Sequence, residues 1–218
     1  MLALLNQLAV SFDLPILDWI QAHLQCGFLD AVMPIVTLFG EGGIFWIAWA
    51  VLMLVFPKTR KIGIAMAIAL IMGVLICNVT LKPLVARPRP YDYQLEHFGV
   101  TIKLLIDAQH DYSFPSGHTA TAFMGAEFLR KEYWDVSPWI GVAGYAVAAG
   151  TGFFRMYNNR HWLTDVLTGA GIGILSTQAA YWLYPTITKT FFRKRYKNIF
   201  ISPYFSKEEK GVSCHIAF

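Results

Sequence analysis

Apolar positions along this chain fall in long unbroken runs rather than in alternation. Ile62 to Leu81 carries no charged residue, and about 20 such residues suffice to cross roughly 30 Å of hydrocarbon as a helix. Pro138 to Phe154 and Val166 to Tyr184 are also uncharged. Gly42 to Phe56 is shorter but dense in Trp, Ile, Leu and Val, and Thr119 to Leu129 carries a single acid, Glu127. These runs predict spans near 42–56, 62–82, 116–130, 138–154 and 162–184. Phe28 to Phe39 supplies either a sixth crossing or half of one joined to the amphipathic stretch Ile16 to Leu24. Pro34 and the cluster Gly40, Gly42, Gly43 argue for a break there. The expected fold class is all-α: a polytopic membrane protein with about six transmembrane helices in one bundle. That domain covers 1–186, with 1–40 as its N-terminal amphipathic or first-span segment. A basic tail, 187–218, is expected at the membrane surface.

Composition supports this reading. The chain has 218 residues, of which 56% are hydrophobic and 15% charged, against about 25% charged in an average soluble domain. The mean hydropathy is +0.45. A soluble helical protein would lack polar surface at these values. The first residues, Met1 to Val10, are apolar but have no basic lead and no clear cleavage site, so the segment is expected to be retained. Cys26, Cys77 and Cys214 are scattered and odd in number, which suggests neither a disulfide framework nor a zinc site.

The net charge of +4 matters through its placement. Lys58, Arg60 and Lys61 follow the first secure span, and Arg130 and Lys131 follow the third. Lys189, Arg193, Lys194, Arg195 and Lys197 follow the last. With the spans above, all three groups fall on one side, which the positive-inside rule makes cytoplasmic. A nucleic-acid partner is not expected; the bilayer is.

Three clusters collect on the opposite side. The first runs from Lys82 to Pro90 and includes Arg87 and Arg89. Cations on the side where they are disfavoured are explained by an anion to bind. The second, Pro115-Ser116-Gly117-His118, sits where a loop becomes a helix. Ser116 suits an N-cap, the helix N-terminus favours a phosphate, Gly117 permits close approach, and His118 can move a proton. The third runs from Phe154 to Asp165. His161 and Asp165 are four apart at a helix start and share a face. A carboxylate there holds one imidazole nitrogen protonated and leaves the other free to attack.

Together these clusters describe phosphoryl transfer. Lys82, Arg89 and Arg155 would clamp phosphate oxygens, with Ser116 and Gly117 at the helix start. His161 would attack phosphorus, oriented by Asp165. His118 would protonate the leaving oxygen and then activate water. Two bland readings compete, an ordinary capped helix at Ser116 and a buried polar pair at His161 and Asp165.

The spacing resembles the type 2 phosphatidic acid phosphatase superfamily, whose signature is KxxxxxxRP, PSGH and SRxxxxxHxxxD. Lys82 to Arg89-Pro90, Pro115 to His118, and Arg155 to His161 to Asp165 match it in order and spacing. The match spans 82–165. The resemblance implies a six-helix membrane fold in a bacterial inner membrane and an active site on the periplasmic or outer face. It also implies hydrolysis without a metal or other cofactor, through a phosphohistidine. Substrates in the family include undecaprenyl diphosphate, phosphatidylglycerophosphate, phosphatidate and the phosphates of lipid A. One departure is Phe154, where the family has a phosphate-binding serine. Arg87 is a cation outside the motif. Alternatives are a phosphoryl or headgroup transferase using the same site, a metal-dependent hydrolase with His118, His161 and Asp165 as ligands, and a non-catalytic anionic-lipid binder. The sequence leaves the lipid and the oligomeric state open.

Overall fold

The structure, a computed structural model, describes residues 2–102, 104–106, 108–109, 111–191, 199–205 and 210–216. The chain divides into two units, Met1–Ala180 and Tyr181–Phe218. The basic residues Arg193, Lys194, Arg195 and Lys197 lie outside the described residues.

The first unit is helical. Its N-terminal run comprises α1 (Leu2–Leu8), a π-helical turn (Ala9–Asp13) and α2 (Leu14–His23). Next comes α3 (Gly27–Val36), with Pro34 inside it, then a short 3₁₀ turn (Thr37–Phe39). The break expected at the glycines is present. Gly42 and Gly43 adopt φ of 54° and 71°, a region open to glycine at little cost, and Gly43 caps α4 (Ile44–Val55).

A tight turn returns the chain into α5 (Arg60–Val74). Thr59 Oγ1 donates to the Met53 carbonyl at 2.8 Å and so closes that turn. Gly63 faces the Ala50 carbonyl with no room for a side chain, which lets the two helices approach closely. Then α5 passes into a π-helical turn (Leu75–Leu81) and the short α6 (Lys82–Val85). Ala86 ends α6 at φ 50°, a left-handed conformation costing a non-glycine residue about 1–2 kcal/mol. It turns the chain so that Arg87 and Arg89, on the far side of the bend, run inward.

The remaining helices are α7 (Pro90–Phe98), α8 (Gly117–Tyr133), α9 (Pro138–Tyr157) and α10 (Leu163–Phe191). The last three coincide with expected spans. Small residues set their spacing: Ala122 and Ala126 of α8 pack on Ala148 of α9. A side chain on Gly169 or Gly173 of α10 would run into the Ser116 or Ala120 carbonyl of α8. Such small-residue contacts are how helices associate in lipid.

Two helical stretches among the described residues, Gly27–Val55 and Arg60–Phe98, are long and apolar enough to cross a membrane. Large apolar side chains point outward along them, including Ile44, Val51, Val55, Ile71, Val74 and Val79. So much exposed apolar surface suits lipid rather than water. A separate core holds Ala9, Leu17 and Ile20 of the N-terminal run against Phe154, Tyr157, Trp162 and Val166.

The second unit corrects the all-α expectation for the tail. Beyond the end of α10, β1 (Ile199–Phe205) and β2 (Lys210–Ile216) pair antiparallel, with Ile199 opposite Ile216 and Ser202 opposite Ser213. The signal was available. Ile199, Phe200, Ile201, Tyr204 and Phe205 are β-formers, and Val212 follows a glycine.

Candidate active site

Three local devices bring the clusters together. The bend at Ala86 delivers Lys82 and Arg89. The N-terminus of α8 delivers Gly117 and His118. The last turn of α9, the connector after it and the first turn of α10 deliver Arg155, His161 and Asp165. Ser116 caps α8: its Oγ accepts from Thr119 N at 3.4 Å and pairs with Thr119 Oγ1 at 2.9 Å. Ser116 N–H is already bonded to the Asp165 carbonyl, 3.1 Å away, which ties the second cluster to the third.

His161 is buried, 1% exposed. Its Nδ1 faces Asp165 Oδ2 at 3.5 Å, and its Nε2 lies 3.3 Å from Arg89 Nη1. The Asp165 contact is longer than a hydrogen bond, so the carboxylate acts on the ring through charge and orientation. Asp165 accepts from Trp162 N–H on Oδ2 at 3.0 Å and from Arg87 Nη1 on Oδ1 at 2.6 Å.

His161 titrates well below its ordinary 6.5. Burial is the largest cause, followed by the charges of Arg89, Arg155 and Lys82 and by His118. At neutral pH its ring is therefore uncharged, the form in which a nitrogen has a lone pair to give.

The cations are held by residues that the motifs do not contain. Asp111 pairs with both Lys82 and Arg89, and its backbone carbonyl accepts from Arg89 Nε at 2.8 Å. Burial opposes ionisation of Asp111, but the Lys82 hydrogen bond and the Arg89 charge outweigh it and hold the carboxyl below its usual range. Gln109 Oε1 accepts from Arg155 Nη2 at 2.8 Å, while Arg155 Nε and Nη1 are buried with no partner among the described residues. His118 Nε2 meets Glu41 Oε2 at 2.9 Å. In sequence, Asp111 and Gln109 were two polar residues in a polar loop. Glu41 was the lone acid in a glycine turn, which is the only hint the chain offers.

A cavity of about 670 Å³ opens beside these groups. Its polar end is made by Lys82, Asp111, Gln109, Gly117 and His118. Its length runs down between α4, α5 and α8 along Ile47, Val51, Leu70 and Val74. Such a shape suits a molecule with an anionic head and an apolar tail. His161 is not on its wall; Arg89, which touches both His161 and Asp111, joins the two regions.

Arg87 and Phe154 have clear places. Arg87 is buried and bridges Asp165 and Asp13, with its guanidinium carbon 4.9 Å from the centre of the Trp162 ring. Phe154 is fully buried in the N-terminal core and stacks with Tyr157, so it serves packing. Among the described residues no cluster of His, Cys, Asp and Glu is arranged to hold a metal ion.

Comparison with known proteins agrees with the motifs. A 71-residue stretch is 56% identical to a lipid A 1-phosphatase of Porphyromonas gingivalis, covering 33% of this chain and 16% of that one. An undecaprenyl-diphosphatase of Sulfolobus acidocaldarius is 31% identical over 159 residues, 71% of this chain and 72% of that one. Among solved structures, LpxE of Aquifex aeolicus superposes with a TM-score of 0.65 at 25% identity, over 78% of this chain and 94% of that one. A transmembrane PAP2-type phosphatidylglycerolphosphate phosphatase of Bacillus subtilis gives 0.63 at 25% identity, over 86% and 89%. Residues 58–189 match the PAP2 superfamily, and the chain belongs to that family, the type 2 phosphatidic acid phosphatases.

Proposed function

We propose that this protein is an integral membrane phosphatase that hydrolyses a lipid phosphate through a phosphohistidine on His161, without a metal. The observation that carries the reading is the cavity. Its polar end joins Lys82 and His118, and its apolar walls would hold the tail of a lipid.

In the first step the lone pair of His161 Nε2 forms a bond to phosphorus. The phosphorus–oxygen bond to the lipid breaks, and His118 gives its proton to the departing oxygen. Lys82, Arg89 and Arg155, with Gly117 and Ser116 at the start of α8, take the charge on the equatorial oxygens. In the second step His118 takes a proton from water, the water oxygen attacks phosphorus, and the nitrogen–phosphorus bond breaks. Inorganic phosphate leaves and His161 is neutral again. For a lipid phosphate to reach His161, it must replace the Asp111 carboxylate on Lys82 and Arg89.

The 1-phosphate of a lipid A glycolipid is the first substrate to test, on the strength of the 56% identical stretch. Undecaprenyl diphosphate and phosphatidylglycerophosphate follow, from the other relatives. We place the protein in a bacterial inner membrane with six crossings. The site faces the periplasm and the C-terminal tail the cytoplasm, because the basic connectors sort to one side.

The test is phosphate release from purified protein against this panel, with His161→Ala as control and a strong chelator in a parallel series. Release that needs His161, survives chelation and rises with acyl-chain length is expected. No release from any lipid phosphate would sink the proposal.

A further inference from the structure

Asp13 is fully buried at the end of the N-terminal π-helical turn, far from every motif in sequence. Its carboxylate accepts from Arg87 Nη2 at 2.8 Å, from Thr164 N–H at 3.1 Å and from Thr164 Oγ1 at 2.6 Å. Arg87 then donates to Asp165 at 2.6 Å and to Thr164 Oγ1 at 2.7 Å. One guanidinium is thus shared by two carboxylates, and Arg87, Asp13 and Asp165 are all buried.

Counting charge gives the consequence. Two carboxylates and one guanidinium leave one negative charge over. In a buried site that charge is felt strongly by its neighbours. Without Asp13, Arg87 and Asp165 would form a neutral pair, and nothing would remain to face His161. Yet the ring of His161 becomes cationic as Nε2 bonds to phosphorus. We propose that Asp13 is a positioning residue for catalysis: by neutralising Arg87 it leaves the charge of Asp165 available to the His161 ring. Thr164, the residue beside Asp165, holds Asp13 in register through both its N–H and its hydroxyl. The N-terminal run is then part of the active site rather than only a membrane segment. π-Helical turns are frequent at functional sites, and this one ends on the residue that matters.

This inference rests on His161 being the nucleophile. It is tested with Asp13→Asn, Arg87→Gln and the double variant, measured beside wild type and His161→Ala. The readouts are kcat and KM for a short-chain lipid phosphate in detergent, and inhibition by inorganic phosphate. Binding of orthovanadate, an analogue of the transition state, is followed by vanadium NMR. Asp13→Asn is expected to lower kcat by about 10- to 100-fold, the usual range for a residue that orients a reacting group. KM and phosphate inhibition should move by less than about threefold, because the phosphate clamp is intact, and vanadate binding should weaken in step with kcat.

The double variant is decisive. Removing Arg87 together with Asp13 frees Asp165 again, so kcat should recover at least about fivefold over Asp13→Asn. A purely structural Asp13 would make the double variant equal to or worse than the single. That result, or an Asp13→Asn kcat within about twofold of wild type, overturns the proposal. If Asp13→Asn does not accumulate as folded protein, the double variant, which keeps the net charge of the cluster at its wild-type value, carries the test alone. Folded double variant within about tenfold of wild type supports the idea, and a folded one more than about 100-fold down refutes it. Wild type that neither releases phosphate nor binds vanadate would count against the phosphatase reading. Wild type that binds vanadate without turnover still reports on Asp13 through the variants.

Discussion

Arg89 Nη1 lies 3.3 Å from His161 Nε2. A guanidinium only donates, so this contact needs the lone pair of Nε2 and puts the ring proton on Nδ1, the nitrogen facing Asp165. In the proposed mechanism this is the tautomer needed for attack on phosphorus, and the residue that sets it is one of the cations proposed to clamp the phosphate. Replacing Arg89 with Ala should cost about 10²–10³ in kcat/KM, the size of a lost oxyanion donor. Arg89→Lys should recover only part of it, since an ammonium cannot reproduce the fork. Phosphate release under first-order conditions measures both; a loss below about threefold for Arg89→Ala would contradict the assignment.

The acidity of His161 gives a pH prediction with a definite sign. Burial and the cations around it hold its pKa well below 6.5, so activity should not fall through His161 protonation as pH drops from about 8 to 6.5. Lys82→Met removes one of those cations. The protonated ring is then less disfavoured, its pKa rises, and the acid limb of log kcat/KM should move to higher pH. The shape of the profile shows this even if its height falls, and an unmoved or lower limb would rule the explanation out.

Asp111 competes with phosphate in this scheme. Asp111 is half-exposed while Lys82 and Arg89 are largely buried, so water screens the pairs from one side only, and about 1 kcal/mol is a fair scale for them. Asp111→Asn should therefore tighten inhibition by inorganic phosphate about two- to fivefold. A dose–response series at fixed substrate measures it. Weaker inhibition would mean that Asp111 helps to hold phosphate rather than standing in its place.

Gly125 tests the packing. A side chain there would overlap the Trp46 indole, which is itself fixed by a 2.7 Å hydrogen bond from Nε1 to the Phe39 carbonyl. Overpacking of this kind costs about 1–3 kcal/mol. Gly125→Val should lower the unfolding midpoint in detergent by several degrees, on the order of 2–4 °C per kcal/mol for a chain of this size. Gly171→Ala, where the added atom meets open space, is the control and should be silent.

Much of the site was legible because its chemistry is local. The Pro115 to His118 turn caps a helix through Ser116, three residues before Thr119, and His161, in the connector two residues before α10, meets Asp165 in the first turn of that helix. Spacing alone conveys such relations. Gln109, Asp111 and Glu41 were not legible: each is an ordinary polar residue whose meaning comes from the cation or imidazole opposite it. The strands of the tail rest on β-forming residues, Ile199 to Ile201, Tyr204 and Phe205, that stand close to a run of basic ones.

By itself the sequence determined the long apolar helices, the three motifs and the nearness of His161 to Asp165. All of these follow from hydrophobic run length, turn chemistry and helical periodicity. Only the tertiary structure decided that Arg87 joins Asp13 to Asp165 across 74 and 78 positions of sequence. It alone showed Phe154 turned away into the N-terminal core, and Arg89 held between His161 and Asp111. The physical reason is that a buried charge takes whatever partner the packing of distant helices brings within hydrogen-bond reach, and no local pattern in the chain records which one that will be.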